Sequence, residues 1–312
     1  MTDRIGVIGL GRMGRPMAIN MQKKGFAVTG HDLNPASIAA LVAAGGRAGG
    51  SIEAVVAEAD VVFTMLPNSN DVAQVILERV LPATRPGQLV VDMSTIDPLV
   101  TDRIAQALAK AGIAFADAPV GRLAQHADAG QSLFMVGAAP GDLARLRPML
   151  EAMGTTIHHC GGPGTGIRMK VVNNYLAIAL AQLNAETLTL AQRFGLDLGM
   201  AIEVINGTTA TNGHLKTNFP NKVLKGDISP GFQIDLAHKD LGLALAAASE
   251  LKVPLSMGTA ARECLQIARS RGYGGKDFSG LLDAWCDLAG VTPPRLPAAD
   301  MEKAAEAAMA GQ

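Results

Sequence analysis

Short apolar runs alternate with amphipathic stretches over the first half of the chain, and that alternation is the strongest pattern in it. Arg4 to Gly9 reads as a buried strand and Pro16 to Lys24 as the helix that follows. The strand pattern returns at Phe26 to His31, Val61 to Met65, Leu89 to Asp92, Ile113 to Ala118, Ser132 to Val136 and Thr155 to His159. Helical patterns fall between: Pro35 to Ala44, Ile52 to Ala59, Asp71 to Val80, a helix capped by Asp97 ahead of Pro98, and Asp142 to Met153. Strand and helix repeated in this way predict an α/β fold, a doubly wound parallel sheet with helices on both faces. From Ile167 to Phe194 there is neither Gly nor Pro, so one helix of roughly 42 Å is expected there. A rod of that length can join two domains. Beyond it the strand pattern gives way to alanine- and leucine-rich helical patterns at Leu198 to Asn206, from Ile234, at Met257 to Arg271 and at Phe278 to Leu288. The expected organisation is a sheet domain over 1–163, an all-helical domain over 164–290, and a tail over 291–312 that starts as a proline linker.

A chain of 312 residues is long enough for two cores. Its 48% hydrophobic and 18% charged content, with a net charge of -1, shows no basic excess of the kind a nucleic-acid partner requires. The three cysteines, Cys160, Cys264 and Cys286, are scattered and form no C-x-x-C pair, so neither a disulfide framework nor a zinc site is expected. No apolar run reaches the length of a membrane span. A cytoplasmic protein is the expectation.

The chemistry begins at the first turn. Gly9-Leu-Gly11-Arg12-Met13-Gly14 follows a strand and opens a helix, the context in which three glycines serve a tight turn, a close approach to a pyrophosphate and helix-on-strand packing. The next strand runs into Asp32, at the offset of an acid that holds ribose hydroxyls. An acid there repels a 2′-phosphate, and Leu33-Asn34-Pro35 offers no Arg to receive one, so NAD is preferred over NADP. Ser94 and Thr95 end a strand, either starting a helical turn or touching nicotinamide or substrate. Arg122 stands just past a strand end, where a planar fork can bind an anion bidentately. His158, His159 and Cys160 do not make a metal site, since neighbours on a strand face opposite ways. Lys170, Asn173 and Asn174 share one face of the long helix. On that stretch alone, a solvated Lys beside amides that satisfy an interface is as good a reading as a catalytic group. Lys239 reads plainly as an i,i+4 partner of Asp235.

Taken together, these pieces resemble the β-hydroxyacid dehydrogenase family, related to 3-hydroxyisobutyrate dehydrogenase. The matching motifs are Gly9-Leu-Gly-Arg-Met-Gly14, Asp92-Met-Ser-Thr-Ile-Asp-Pro98, Asp117-Ala-Pro-Val120, Gly162-Pro-Gly-Thr-Gly166 with Lys170 and Asn173-Asn174, and His238-Lys-Asp240. The resemblance covers the chain to about residue 290. It implies a Rossmann domain and an all-helical domain joined by the long helix, a dimer or tetramer that buries the helical domains, and Lys170 as general acid or base with Asn174 as companion. One departure is informative. The family usually continues Asp-Ala-Pro-Val with Ser-Gly-Gly, whereas this chain has Gly121-Arg122-Leu123. That departure is similar to a narrower branch that reduces a sulfonated aldehyde. By this likeness Arg12, Met13, Asp32, Leu66 and Thr95 line the NAD site, and Arg122, Asn173, Asn174, Ala177 and Lys239 line the site of a small anionic aldehyde. From the chemistry alone, a guanidinium suits a sulfonate and a carboxylate equally. A scaffold that binds NAD without turnover is opposed by Lys170, which such relatives are expected to lack.

Overall fold

The computed structural model describes residues 3–297, and the chain divides after Val172 into two compact units. The sequence from Ala298 on, most of the expected tail, lies outside the described residues.

In the first unit the expected alternation is present. The strands are β1 (Ile5–Ile8), β2 (Val28–His31), β3 (Arg47–Ala48), β4 (Val61–Thr64), β5 (Leu89–Asp92), β6 (Ala114–Asp117), β7 (Val120–Gly121), β8 (Ser132–Gly137) and β9 (Gly154–Gly161). Among them run α1 (Gly14–Lys23), α2 (Pro35–Ala43), α3 (Ile52–Glu58), α4 (Ser69–Gln74), α5 (Pro98–Lys110), α6 (Ala124–Asp128) and α7 (Pro140–Met153). The order β3-β2-β1-β4-β5-β6 is parallel throughout. Its side chains alternate between two cores. Val7, Val61, Phe63 and Val91 pack with Met17 of α1 and Leu150 of α7, whereas Ile8, Val62 and Val90 pack with Val55 of α3 and Ile104 of α5. Both faces are buried, as a doubly wound sheet requires.

The sheet departs from the parallel expectation at one edge. β8 pairs antiparallel with β6 and with β7, and β9 runs parallel to β8. Asp117 stands opposite Gly137, and Gly121 opposite Leu133. Four residues of β8 separate those levels, so β7 rises roughly 13 Å past the carboxyl edge of the parallel strands. Helix starts gather at that same edge. Asn34, Asn68 and Asp97 each accept a backbone N–H of the helix they precede, from Ala36, Asp71 and Leu99 at 3.0, 2.9 and 2.8 Å. The cap expected at Asp97 is therefore in place. β3 lies between Gly46 and Gly49 and is two residues long, too short to carry a pattern.

The second unit takes up most of α8 (Thr165–Arg193), then α9 (Leu198–Asn206), the short α10 (Phe219–Asn221), α11 (Ile234–Glu250), α12 (Ser256–Ser270) and α13 (Leu281–Ala289). Ile178, Ala185 and Leu188 of α8 close on Phe219, Leu241, Leu265 and Leu282. Trp285 packs against this core. Val291–Pro297 is docked rather than loose: the Leu296 N–H donates to the Leu224 carbonyl at 3.0 Å, and Arg295 grips Asp283 with both terminal nitrogens. Among the described residues no helix is long and apolar enough to cross a membrane.

Candidate active site

The glycine loop stands at the carboxyl end of β1, and each glycine has its own reason. Gly9 has φ +96°, and a Cβ there would strike the Met65 carbonyl. A Cβ on Gly14 would strike the Gly9 carbonyl. A Cβ on Gly11 would meet nothing within 4 Å. Gly11 therefore serves no packing need of the chain, and the open space at its backbone fits a pyrophosphate that must approach closely. Asp32 at the end of β2 accepts the Leu10 N–H at 2.6 Å and the Asn34 N–H at 2.7 Å, one on each oxygen. A carboxylate offers about four lone-pair sites, so it keeps acceptor capacity for two hydroxyls while bracing the loop. The residues present thus fit a dinucleotide.

Around this loop, the ends of β4 and β5 are strapped together. Asp92 accepts the hydroxyls of Thr64 at 2.7 Å and Ser94 at 2.6 Å, and the Ser94 hydroxyl accepts the Leu66 N–H at 2.9 Å. Ser94 is thus a brace within the sheet edge, while half-buried Thr95 follows it. Met13 is partly buried against the core. Arg12 forms a bidentate pair with Asp128 of α6 at 2.7 and 2.6 Å, both side chains about half exposed.

Arg122 adopts φ +70°, rare for a residue with a Cβ. Its guanidinium donates to the Gln131 carbonyl at 2.6 Å and to the hydroxyls of Thr155 and Thr156 at 3.0 and 3.2 Å. Among the described residues these contacts engage three of its five donors. The Nε hydrogen and one on Nη2 remain.

Lys170 is buried on α8 about one and a half turns from its start, and Arg168 beside it holds Asp102 at 3.0 and 2.7 Å. Asp117 lies under that start. It accepts the Gly164 and Ile167 N–H groups, each at 2.5 Å. Sequence reasoning passed over Asp92 and Asp117 as site residues. The available signal is an acid in the last position of an otherwise apolar buried strand, twice over.

Within the second unit, Asn174 is buried and donates to Asp240 at 2.7 Å, and the other Asp240 oxygen lies 3.1 Å from the Lys239 ammonium. The Asn173 side-chain amide donates to Asn174 Oδ1 at 3.2 Å. The Ala177 carbonyl is 2.8 Å from His214 Nε2. Burial lowers the His214 pKa, so the neutral ring donates from Nε2. The i,i+4 partner expected for Lys239 is Asp235, and each of the two has a further partner. Asp235 pairs with Arg269 at 2.5 Å, and the Lys239 ammonium lies against buried Asp240. Among the described residues no cluster of three His, Cys, Asp or Glu could hold a metal ion.

Residues 4–162 match the family model of the NAD binding domain of 6-phosphogluconate dehydrogenase. Residues 164–285 match the one described as NAD-binding of NADP-dependent 3-hydroxyisobutyrate dehydrogenase. The chain is 41% identical over 290 residues to 3-sulfolactaldehyde reductase of Escherichia coli (strain K12), covering 92% of this chain and 97% of that protein. The chain belongs to the 3-hydroxyisobutyrate dehydrogenase family. The resemblance drawn from its motifs therefore holds. A second family member, 2-(hydroxymethyl)glutarate dehydrogenase of Eubacterium barkeri, is 38% identical over 291 residues, covering 93% of this chain and 97% of that one. The solved 3-hydroxyisobutyrate dehydrogenase of Mycobacterium tuberculosis with L-serine superposes with TM-score 0.84 at 33% identity, covering 91% of this chain and 99% of that one. Like its family, the protein is an NAD-dependent oxidoreductase of the β-hydroxyacid dehydrogenase type with a Rossmann domain and a helical domain.

Proposed function

We propose that the protein reduces 3-sulfolactaldehyde to 2,3-dihydroxypropane-1-sulfonate with NADH. The observation that carries this reading is Gly121-Arg122-Leu123 where the family usually has Ser-Gly-Gly, in a chain 41% identical to a 3-sulfolactaldehyde reductase. The bound cofactor supplies a hydride to the carbonyl carbon. The Lys170 ammonium gives a proton to the carbonyl oxygen as it becomes an alkoxide, and is reprotonated from solvent. In the reverse direction Lys170 takes the proton as base. Arg122 grips the sulfonate through the donors left by its contacts to Gln131, Thr155 and Thr156. Asn173, Asn174, Ala177 and Lys239 line the substrate. Gly9, Gly11, Arg12, Met13, Gly14, Asp32, Leu66 and Thr95 line the cofactor. In this assignment residues 1–163 form the cofactor domain, which also lends Arg122 to the substrate, and 164–290 the substrate and assembly domain.

A carboxylated aldehyde is the second reading, because the same guanidinium suits a carboxylate and a relative at 38% identity is 2-(hydroxymethyl)glutarate dehydrogenase. Comparing kcat/KM for 3-sulfolactaldehyde and succinic semialdehyde decides between them. A preference for the sulfonate of an order of magnitude or more is expected, and equal values refute the sulfonate assignment.

The protein also assembles, in this reading, as a homodimer or homotetramer. Leu176, Leu183 and Leu190 recur every seventh residue along α8 with 59%, 50% and 54% exposure, and Phe194 is 71% exposed. A stripe repeating in this way stays on one side of a helix and is self-complementary in a second copy. Leu183→Glu should give monomers by light scattering coupled to gel filtration.

A further inference from the structure

We infer that Asp117 is a positioning residue for the reaction: its buried carboxylate clamps the first turn of α8 and so fixes where Lys170 stands. The inference rests on the reading of Lys170 as proton donor. A helix start leaves its first N–H groups without acceptors inside the helix. The usual remedy is a side chain on the residue just before the helix, but that residue here is Gly164, with φ +88° and no side chain. The cap comes instead from a strand far back in the chain, Asp117 taking the Gly164 and Ile167 N–H groups on separate oxygens. The surroundings are shaped for that one carboxylate. A Cβ on Gly137 would strike it, and a Cβ on Gly166 would lie 2.9 Å from its Oδ2. β6, β8 and the glycine bend thus converge on Asp117 with backbone alone.

The arrangement is demanding for a mere cap. Asp117 is 1% exposed and stands in register beside buried Asp92. Burial, with Asp92 adding to it, raises the Asp117 pKa to about 6, so the group is still ionised at neutral pH. A neutral Ser or Asn caps a helix without a buried charge. What the charge adds is a stronger and more directional hold on two N–H groups, in line with the helix dipole. Lys170 follows Ile167 by three residues, about 4.5 Å along the axis. Fixing the Ile167 N–H therefore fixes both the height and the rotation of Lys170. Misplacing a reacting group by about 1 Å costs on the order of 100-fold in rate.

The test compares Asp117→Asn with Lys170→Met, using NADH and whichever anionic aldehyde is turned over. Asp117→Asn should lower kcat about 10- to 100-fold, leave NADH affinity within about twofold, and raise the solvent deuterium isotope effect on kcat, because the proton donor is now misplaced. A loss of kcat that only tracks the folded fraction, with an unchanged isotope effect, overturns the inference. So does a kcat within about twofold of the wild type. Should Asp117→Asn not fold, Asp117→Ser, which keeps a neutral cap, is read in the same way. A Lys170→Met enzyme that keeps its kcat refutes the reading of Lys170 itself, a separate result.

Discussion

Asp32 holds the loop and, in the proposed function, the cofactor, and the two jobs can be separated. Asp32→Ala removes the acceptors of the Leu10 and Asn34 N–H groups. Asn34 is exposed and water replaces the lost bond, but Leu10 is fully buried. A hydrogen bond to a charged group contributes about 1.5–3 kcal/mol, so the cofactor-free protein should lose roughly 2 kcal/mol. In a domain of this size that lowers Tm by about 4–8 °C. NADH loses its ribose acceptors as well, for a similar 1.5–3 kcal/mol, or about 10- to 100-fold in Kd. NADPH loses no such bonds and is relieved of repulsion, so the ratio of the two dissociation constants should fall by at least about tenfold. Fluorescence titration with each cofactor measures the ratio, and thermal melting without cofactor measures the brace. Asp32→Asn should keep most of the Tm, since an amide oxygen can still face the Leu10 N–H, yet shift the ratio. An unchanged ratio in both variants refutes a role for Asp32 in cofactor choice.

Two further outcomes follow from the buried acids. Asp117 ordinarily titrates near 3.8 and is raised to about 6 in the fold, so the stability it contributes is complete below about pH 4 and lost as pH rises through 6. Asp117→Asn has no such titration, and the stability advantage of the wild type over it should shrink by about 3 kcal/mol between pH 4 and 7 in urea titrations. A difference that stays flat contradicts the raised value. Ser94→Ala removes one hydrogen bond to buried Asp92 and the acceptor of the Leu66 N–H. It should cost about 1–3 kcal/mol in the same titrations, and a neutral result would mean that the two strand ends are not strapped through Ser94.

Elements whose signals are local were legible in the sequence. Val61–Thr64 and Leu89–Asp92 are apolar runs with turn residues after them, and Asp97-Pro98 is a helix start in its own residues. Direction is not local: Ser132–Gly137 reads as a strand whichever way it runs, and only its pairing with Asp117 and Val120 makes it antiparallel. Partners distant in sequence were equally hidden. Arg122 was legible as a cation past a strand end, but not its hold on Thr155 and Thr156, which depends on β9 lying beside β8. Lys239 lies against its chain neighbour Asp240, a contact that the helix spacing rule does not foresee. The clamp from Asp117 to Ile167 joins residues with no common local pattern, so only the strand order brings them together.

In the proposed function Lys170 is the proton donor of an NADH-dependent aldehyde reductase. Steady-state reduction of 3-sulfolactaldehyde by wild type and Lys170→Met, with NADH binding followed in parallel, tests it most directly. Loss of kcat by about 1,000-fold or more with NADH affinity kept is expected, in line with the loss of a general acid. A Lys170→Met enzyme that binds NADH and turns over at nearly the wild-type rate would contradict it.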